Sequence, residues 1–118
     1  MSYLRAYRTF ISSWLILLMA FWQVAQPLQA ATFYWDADGN AAGNTIDGTG
    51  LGGSGTWDTT ATNWWNQTTN VAWPNSVVDT AVFSGASGTI TLGGSINAGS
   101  LVFDRSNYTL TGGILNLG

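Results

Sequence analysis

Two stretches decide how this chain is read. They are Ala81-Val82-Phe83-Ser84-Gly85-Ala86-Ser87-Gly88-Thr89-Ile90-Thr91-Leu92-Gly93-Gly94-Ser95-Ile96 and Leu101-Val102-Phe103-Asp104-Arg105-Ser106-Asn107-Tyr108-Thr109-Leu110-Thr111-Gly112-Gly113-Ile114. Set side by side, Val82-Phe83 matches Val102-Phe103, Thr91-Leu92 matches Thr109-Leu110, Gly94 matches Gly112 and Ile96 matches Ile114. The starts lie 20 positions apart and the ends 18, so this alignment expects a two-residue deletion in the connecting loop. Within each copy, Thr89-Ile90-Thr91-Leu92 and Tyr108-Thr109-Leu110-Thr111 alternate polar with apolar. Period two is the mark of a half-buried strand. The pairs Gly93-Gly94 and Gly112-Gly113 read as turns.

A repeat near 20 residues with strands, turns and no helix points to a solenoid of β-coils. One coil cannot bury its few apolar residues alone. Stacking the next coil about 4.7–4.9 Å away pairs the backbones and makes the core continuous. The inward set expected is Phe83, Ile90, Leu92, Ile96, Leu101, Phe103, Leu110 and one or more of Ile114, Leu115 and Leu117. Val82, Thr89, Thr91, Val102, Thr109 and Thr111 are expected to face out. Two recognisable repeats are fewer than a solenoid usually needs. The pattern also ends at Ile114-Leu115-Asn116-Leu117-Gly118 without a polar cap, leaving an open edge. The expectation is the start, or a piece, of a longer array.

Upstream, residues 31–76 form a zone rich in Trp, Gly and Asn. Aromatic islands sit between loops: Phe33-Tyr34-Trp35, Gly55-Thr56-Trp57-Asp58 and Asn63-Trp64-Trp65-Asn66. The stretch from Gly39 to Gly55 reads as loop, and Trp73-Pro74-Asn75 as a turn. This zone is expected to cap the repeats of residues 77–118.

Residues 1–30 differ in composition. Arg5 and Arg8 make a positive start. An apolar run, densest at Trp14-Leu15-Ile16-Leu17-Leu18-Met19-Ala20-Phe21-Trp22, leads to Pro27-Leu28-Gln29-Ala30. This is the three-part pattern of a secretory signal peptide, helical before cleavage after Ala30. The apolar run is too short for a membrane anchor, which takes about 20 apolar residues.

The 118-residue chain has a net charge of −3. Past Ala30 it carries all six acids and a single base, Arg105. That balance excludes a nucleic-acid footprint and adhesion to an anionic membrane surface. With no Cys in the chain there is no disulfide framework, so stacking on further coils must stabilise a small exported segment. About half of the residues after Ala30 are Gly, Thr, Asn or Ser, so no helix is expected there.

Phe33-Tyr34-Trp35-Asp36, the Gly/Ala/Asn loop after it, Gly55-Thr56-Trp57-Asp58-Thr59-Thr60 and Asn63-Trp64 resemble the head of large bacterial exported proteins that carry autotransporter-associated β-strand repeats. Asp79-Thr80-Ala81-Val82-Phe83-Ser84-Gly85 and the glycine-rich stretch after it resemble the repeats themselves. The resemblance covers residues 33–118. It implies a right-handed parallel β-helix, moved to the cell surface by a carboxy-terminal barrel that these residues do not include. The expected partners are further repeats of a longer chain or such a translocating barrel.

Candidate sites are few. Trp57, Trp64 and Trp65 are the residues expected to bind a ligand, with Trp35 and Trp73 in the same group. Exposed rings of this kind hold cell-surface glycans through apolar contact, and adjacent Trp64-Trp65 on a strand would put one ring outside. The competing reading is that all of them pack the cap. Asp36-Ala37-Asp38-Gly39-Asn40 has the closely spaced oxygens of a calcium loop but not the EF-hand pattern, and reads equally as an Asx turn. No metal or cofactor is assigned from the sequence. Trp57-Asp58 lacks the His partner of a WD propeller blade. Asn66-Gln67-Thr68 and Asn107-Tyr108-Thr109 match the glycosylation acceptor pattern, which a bacterial protein leaves unused. Asp58 with Asp79, or Asp36 with Asp38, could be imagined as a carboxylate pair for glycoside hydrolysis, but nothing in the spacing favours it. The chain lacks His, Cys and Lys for other acid–base or nucleophilic work, so it is expected to be non-catalytic. The leading expectation is a structural segment of an exported surface protein, and the alternative is a secreted carbohydrate-binding module.

Overall fold

A computed structural model describes residues 26–118. The signal-peptide reading falls largely on residues 1–25, outside them; residues 26–30 carry no regular structure and are exposed. The described residues are all-β, and no helix among them is long and apolar enough to cross a membrane.

Ten strands follow one another: β1 Thr32–Trp35, β2 Gly55–Trp57, β3 Trp64–Trp65, β4 Asn70–Val71, β5 Thr80–Phe83, β6 Thr89–Leu92, β7 Ser95–Ala98, β8 Ser100–Phe103, β9 Thr109–Thr111 and β10 Ile114–Leu117. They form three open sheets, ordered β4-β3-β1-β5-β8, β2-β6-β9 and β10-β7. Pairing is parallel throughout the last two sheets and along β1-β5-β8. Only the hairpin β3-β4, laid on the far edge of β1, is antiparallel.

The strand register agrees with the sequence alignment in one part and corrects it in another. Val82 lies opposite Val102 and Phe83 opposite Phe103, as the sequence alignment expects. Thr89, however, lies opposite Thr109 and Ile90 opposite Leu110, so the offset stays at 20 and the connecting loop loses nothing. The 84–88 and 104–108 connections are equally long. The alignment of Thr91-Leu92 on Thr109-Leu110 kept the inside–outside parity, as any even shift does. Equal loop length selects the offset instead. One residue is lost later: Ile96 faces Leu115 rather than Ile114, after the turn in which Ile114 N–H donates to Gly94 O.

The core runs without a break through both zones. Trp35, Trp57, Trp64 and Trp73 pack with Phe83, Ile90, Leu92, Ile96 and Ala98. Leu101, Leu110 and Leu115 cover it from the β8-β9-β10 side and are themselves half-buried. Of the outward set, Val82 is a correction: it is 6% exposed. Its in-register neighbours Tyr34 and Val102 stand on the same face of the sheet and flank it from both sides. Val102, with one such neighbour, is 40% exposed.

Beyond Tyr34 and Val82 the two central strands part, and the 51–53 segment enters the gap. Gly52 bridges Asp36 on one side and Ala86 on the other. Its N–H donates to Trp35 O, while its own carbonyl accepts from Ala37 N. Gly52 has φ +93°, and a Cβ there would run into the backbone of Ala86 and Ser84. Only glycine fits this wedge.

Candidate functional site

The aromatic group expected to bind sugar is interior. Trp35, Trp57 and Trp64 have no exposed surface and Trp73 is 2% exposed. Trp57 and Trp64 lie 4.8 Å apart between ring centroids, Trp64 and Trp73 4.7 Å, and Trp57 and Trp73 5.0 Å at 86°. Tilted and edge-to-face pairs of this kind contribute about 0.5–1.5 kcal/mol each beyond their buried area. Two indoles anchor the cluster to backbone: Trp35 Nε1–H donates to Gly53 O and Trp73 Nε1–H to Asn97 O, both at 2.8 Å. The N–H groups of Trp57 and Trp64 are buried within the cluster and have no hydrogen-bond partner.

Trp65 does point away from Trp64, as strand geometry requires, yet it too is buried, at 6% exposure. Tyr34, directly opposite it across β1 and β3, covers it with ring centroids 5.7 Å apart. The expectation that one of the adjacent pair is exposed fails for this reason. Trp57, Trp64 and Trp65 therefore offer no open ring face to a ligand.

The carboxylates mostly fold back on their own loops. Asp58 Oδ1 accepts from Thr60 N and Ala61 N, and Asp47 Oδ1 from Thr49 N. Asp38 Oδ1 accepts from Asn40 N at 2.8 Å, the Asx turn that the sequence offers as an alternative to a calcium loop. Asn66 Oδ1 caps Thr68 and Thr69 in the same way. The hydrogen bond from the Thr45 hydroxyl, followed by Thr49 N–H, lowers the Asp47 carboxyl to about 2. Backbone donation from Ala61 and Thr60 lowers Asp58. Asp79 Oδ1 accepts from Ala31 N at 2.8 Å and so ties the start of β1 to β5.

Asp36 is different. It is 1% exposed at the end of β1, beside the Gly52 wedge. Its Oδ2 accepts from Asn44 Nδ2 at 2.7 Å and Asn70 Nδ2 at 2.8 Å. Burial pushes its carboxyl up, against the lowering effect of those two amides. No sequence motif joins Asn44 and Asn70 to Asp36, because the partners come from a loop and from β4. Among the described residues no group of three or more His, Cys, Asp and Glu is placed to hold a metal.

Two surface features complete the inventory. A shallow, open depression of about 660 Å³ is lined by Asp47, Gly48, Thr49, Gly85 and Arg105. Arg105 spans it, donating to Asp104 O and Asp47 O. On the opposite side from the β3-β4 hairpin, strands β8, β9 and β10 each pair on one side only. There Phe103, Val102, Ile114 and Leu117 are 40–62% exposed. The contrast between the two edges is plain: β4 is two residues long and ends its sheet with Asn70-Val71, whereas β8 and β10 are four-residue apolar strands.

No family model and no solved structure matches this chain. Its sequence is similar to the adhesin BmaC autotransporter of Brucella suis biovar 1 (strain 1330), at 39% identity over 94 residues. It is a partial homologue of an autotransporter adhesin. The match covers 75% of this chain and spans 2% of the length of that relative.

Proposed function

We propose that residues 31–118 are a non-catalytic structural segment of an exported, autotransporter-type surface protein. In this reading they form the first coils of a right-handed parallel β-helix, and further repeats stack on β8, β9 and β10. The observation that carries it is the in-register parallel pairing of three successive strand pairs at offsets of 20, 20 and 19 residues. Such a lattice extends by adding another coil of the same kind, and one coil gains its buried face only from the next. The apolar edge of β8 and β10 is the surface such a coil would cover, while the hairpin β3-β4 closes the other side.

The partial likeness to an adhesin supports placement at the cell surface or outside the cell, and an adhesive role for the protein to which this segment contributes. The charge balance fits: a segment with six Asp and one Arg is soluble and has no affinity for polyanions. The test is the size and location of the native product. An antibody raised against residues 31–118, applied to fractionated cells, should detect a large species in the outer-membrane or surface fraction. A free species no longer than residues 31–118 would overturn the proposal.

A further inference from the structure

We propose that Asp36, Asp38, Asn44 and Asn70 form a binding site for calcium. The starting point is an unbalanced hydrogen-bond ledger. Asp36 has two oxygens; Oδ2 takes both Asn amide donors and Oδ1 has none. The carbonyl oxygens Asn44 Oδ1 and Asn70 Oδ1 are buried as well and have no donor either. Three acceptor oxygens are thus withdrawn from water, one on a carboxylate that is 1% exposed and two on the amides that donate to it. Each unsatisfied buried polar atom costs about 1–3 kcal/mol.

Asp38 adds to the imbalance. It stands two residues along the chain, and its charge opposes ionisation of Asp36. A cation placed between two such carboxylates relieves their repulsion. The single base among the described residues, Arg105, is engaged with the carbonyls of Asp104 and Asp47 and does not reach this pair.

A hard divalent cation resolves both problems together. Carboxylate and amide oxygens are its ordinary ligands, and calcium accepts irregular geometry with metal–oxygen distances of about 2.3–2.6 Å. Magnesium, which demands a near-ideal octahedron, fits less well. The two amides can serve by a half-turn, because the oxygen and nitrogen of an Asn side chain exchange places on flipping. Each flip would set a carbonyl oxygen where the nitrogen now stands, 2.7 and 2.8 Å from Asp36 Oδ2. Oxygens so spaced can share one ion. The ligands come from the end of β1, the 39–50 loop and β4, so the ion would pin the long glycine-rich loop and the closing hairpin to the first strand. This site is independent of whether further coils follow.

The test uses the purified chain, stripped with a chelator and titrated with CaCl2, with the melting temperature and Trp-sensitised terbium luminescence as readouts. The expected result is a rise in melting temperature that saturates on the order of 10⁻⁴–10⁻³ M calcium, the range of extracellular modules. Terbium emission should be competed away by calcium and not by equimolar magnesium. Asp38→Asn removes an exposed ligand, so the metal-free melting temperature should hold while calcium affinity falls by about tenfold. Asp36→Asn should abolish binding; if that variant does not fold, Asp38→Asn decides. Absence of any calcium response up to about 10 mM would overturn the site, that being well above the weakest range of such modules. Calcium binding left unchanged by Asp38→Asn would overturn it equally.

Discussion

The rings of Phe83 and Phe103 stack 4.8 Å apart at an interplanar angle of 12°, although the residues stand 20 positions apart in the chain. The spacing is that of neighbouring strands, so the two rings are successive rungs of one ladder. Their surroundings differ. Phe83 is fully buried against Trp35, Trp57 and Trp64, while Phe103 is 47% exposed. The same side chain therefore has two energetic roles. Phe83→Ala should cost about 3–5 kcal/mol, the usual range for emptying a buried aromatic site. Phe103→Ala should cost about 0.5–1.5 kcal/mol, the worth of an aromatic pair. Urea unfolding midpoints of the two variants check the ranking, and equal losses would contradict the ladder.

Exposure along the same edge makes a second prediction. Val102, Ile114 and Leu117 sit on strands paired on one side only. Unpaired apolar strands template pairing with another chain. Val102→Lys with Ile114→Lys should leave the melting temperature nearly unchanged and shift the concentration dependence of self-association, read by light scattering, towards the monomer. If scattering is unaffected, these strands are not the sticky surface.

Trp64→Ala separates packing from ligand binding. Trp64 has no exposed surface and touches Trp35, Trp57, Trp73 and Phe83. Its loss should cost about 3–5 kcal/mol and broaden the thermal transition, as for other emptied Trp sites. A variant that kept its stability and lost only affinity for glycans would restore the sugar-site reading.

Tyr108 pins the 84–86 turn. Its hydroxyl lies 2.7 Å from Ser84 O and 2.6 Å from Ala86 O, and one O–H has a single proton to share between them. Tyr108→Phe should therefore cost one hydrogen bond, about 1 kcal/mol, rather than two. A double-mutant cycle with Gly85 is ruled out, because Gly85 has φ +69° and no room for a Cβ against the backbone of Leu51 and Gly48. Denaturant titration of the single variant suffices.

What the sequence made legible follows from how local the governing physics is. Alternation at Thr89–Leu92 is local, and the structure places Ile90 and Leu92 inside with Thr89 and Thr91 outside. The Asx turn at Asp38 is equally local. The register of β6 on β9 was not, because both even shifts satisfy alternation and only loop length distinguishes them. Two-residue strands carry no period at all, which hid the hairpin β3-β4 and with it the cover that Tyr34 lays over Trp65. The Asp36 cluster was hidden by distance along the chain, since Asn44 and Asn70 lie 8 and 34 positions away. Asp36-Ala37-Asp38 alone shows two acids in a turn, and nothing in it announces the two amides.

Acid should weaken the fold in part through Asp58. Its carboxylate accepts from Ala61 N at 2.7 Å and Thr60 N at 2.9 Å, and these donors favour the charged form. The folded carboxyl is therefore more acidic than the ordinary value of 3.8. A group lowered on folding contributes stability that is present above its unfolded value and lost as pH falls through the folded one. Asp47, lowered to about 2, acts in the same direction, whereas Asp36, raised by burial, acts oppositely and loses its contribution as pH rises. Asp58→Asn isolates one of them. The amide oxygen still accepts both N–H groups, so the turn survives, but the titration is gone. The melting temperature of the variant should lie below that of the parent at about pH 6, and the gap should close as pH falls through the lowered value of the folded carboxyl, where the parent loses its charge too. A gap that stays constant between those limits would mean that the charge of Asp58 contributes nothing and that only the turn geometry matters.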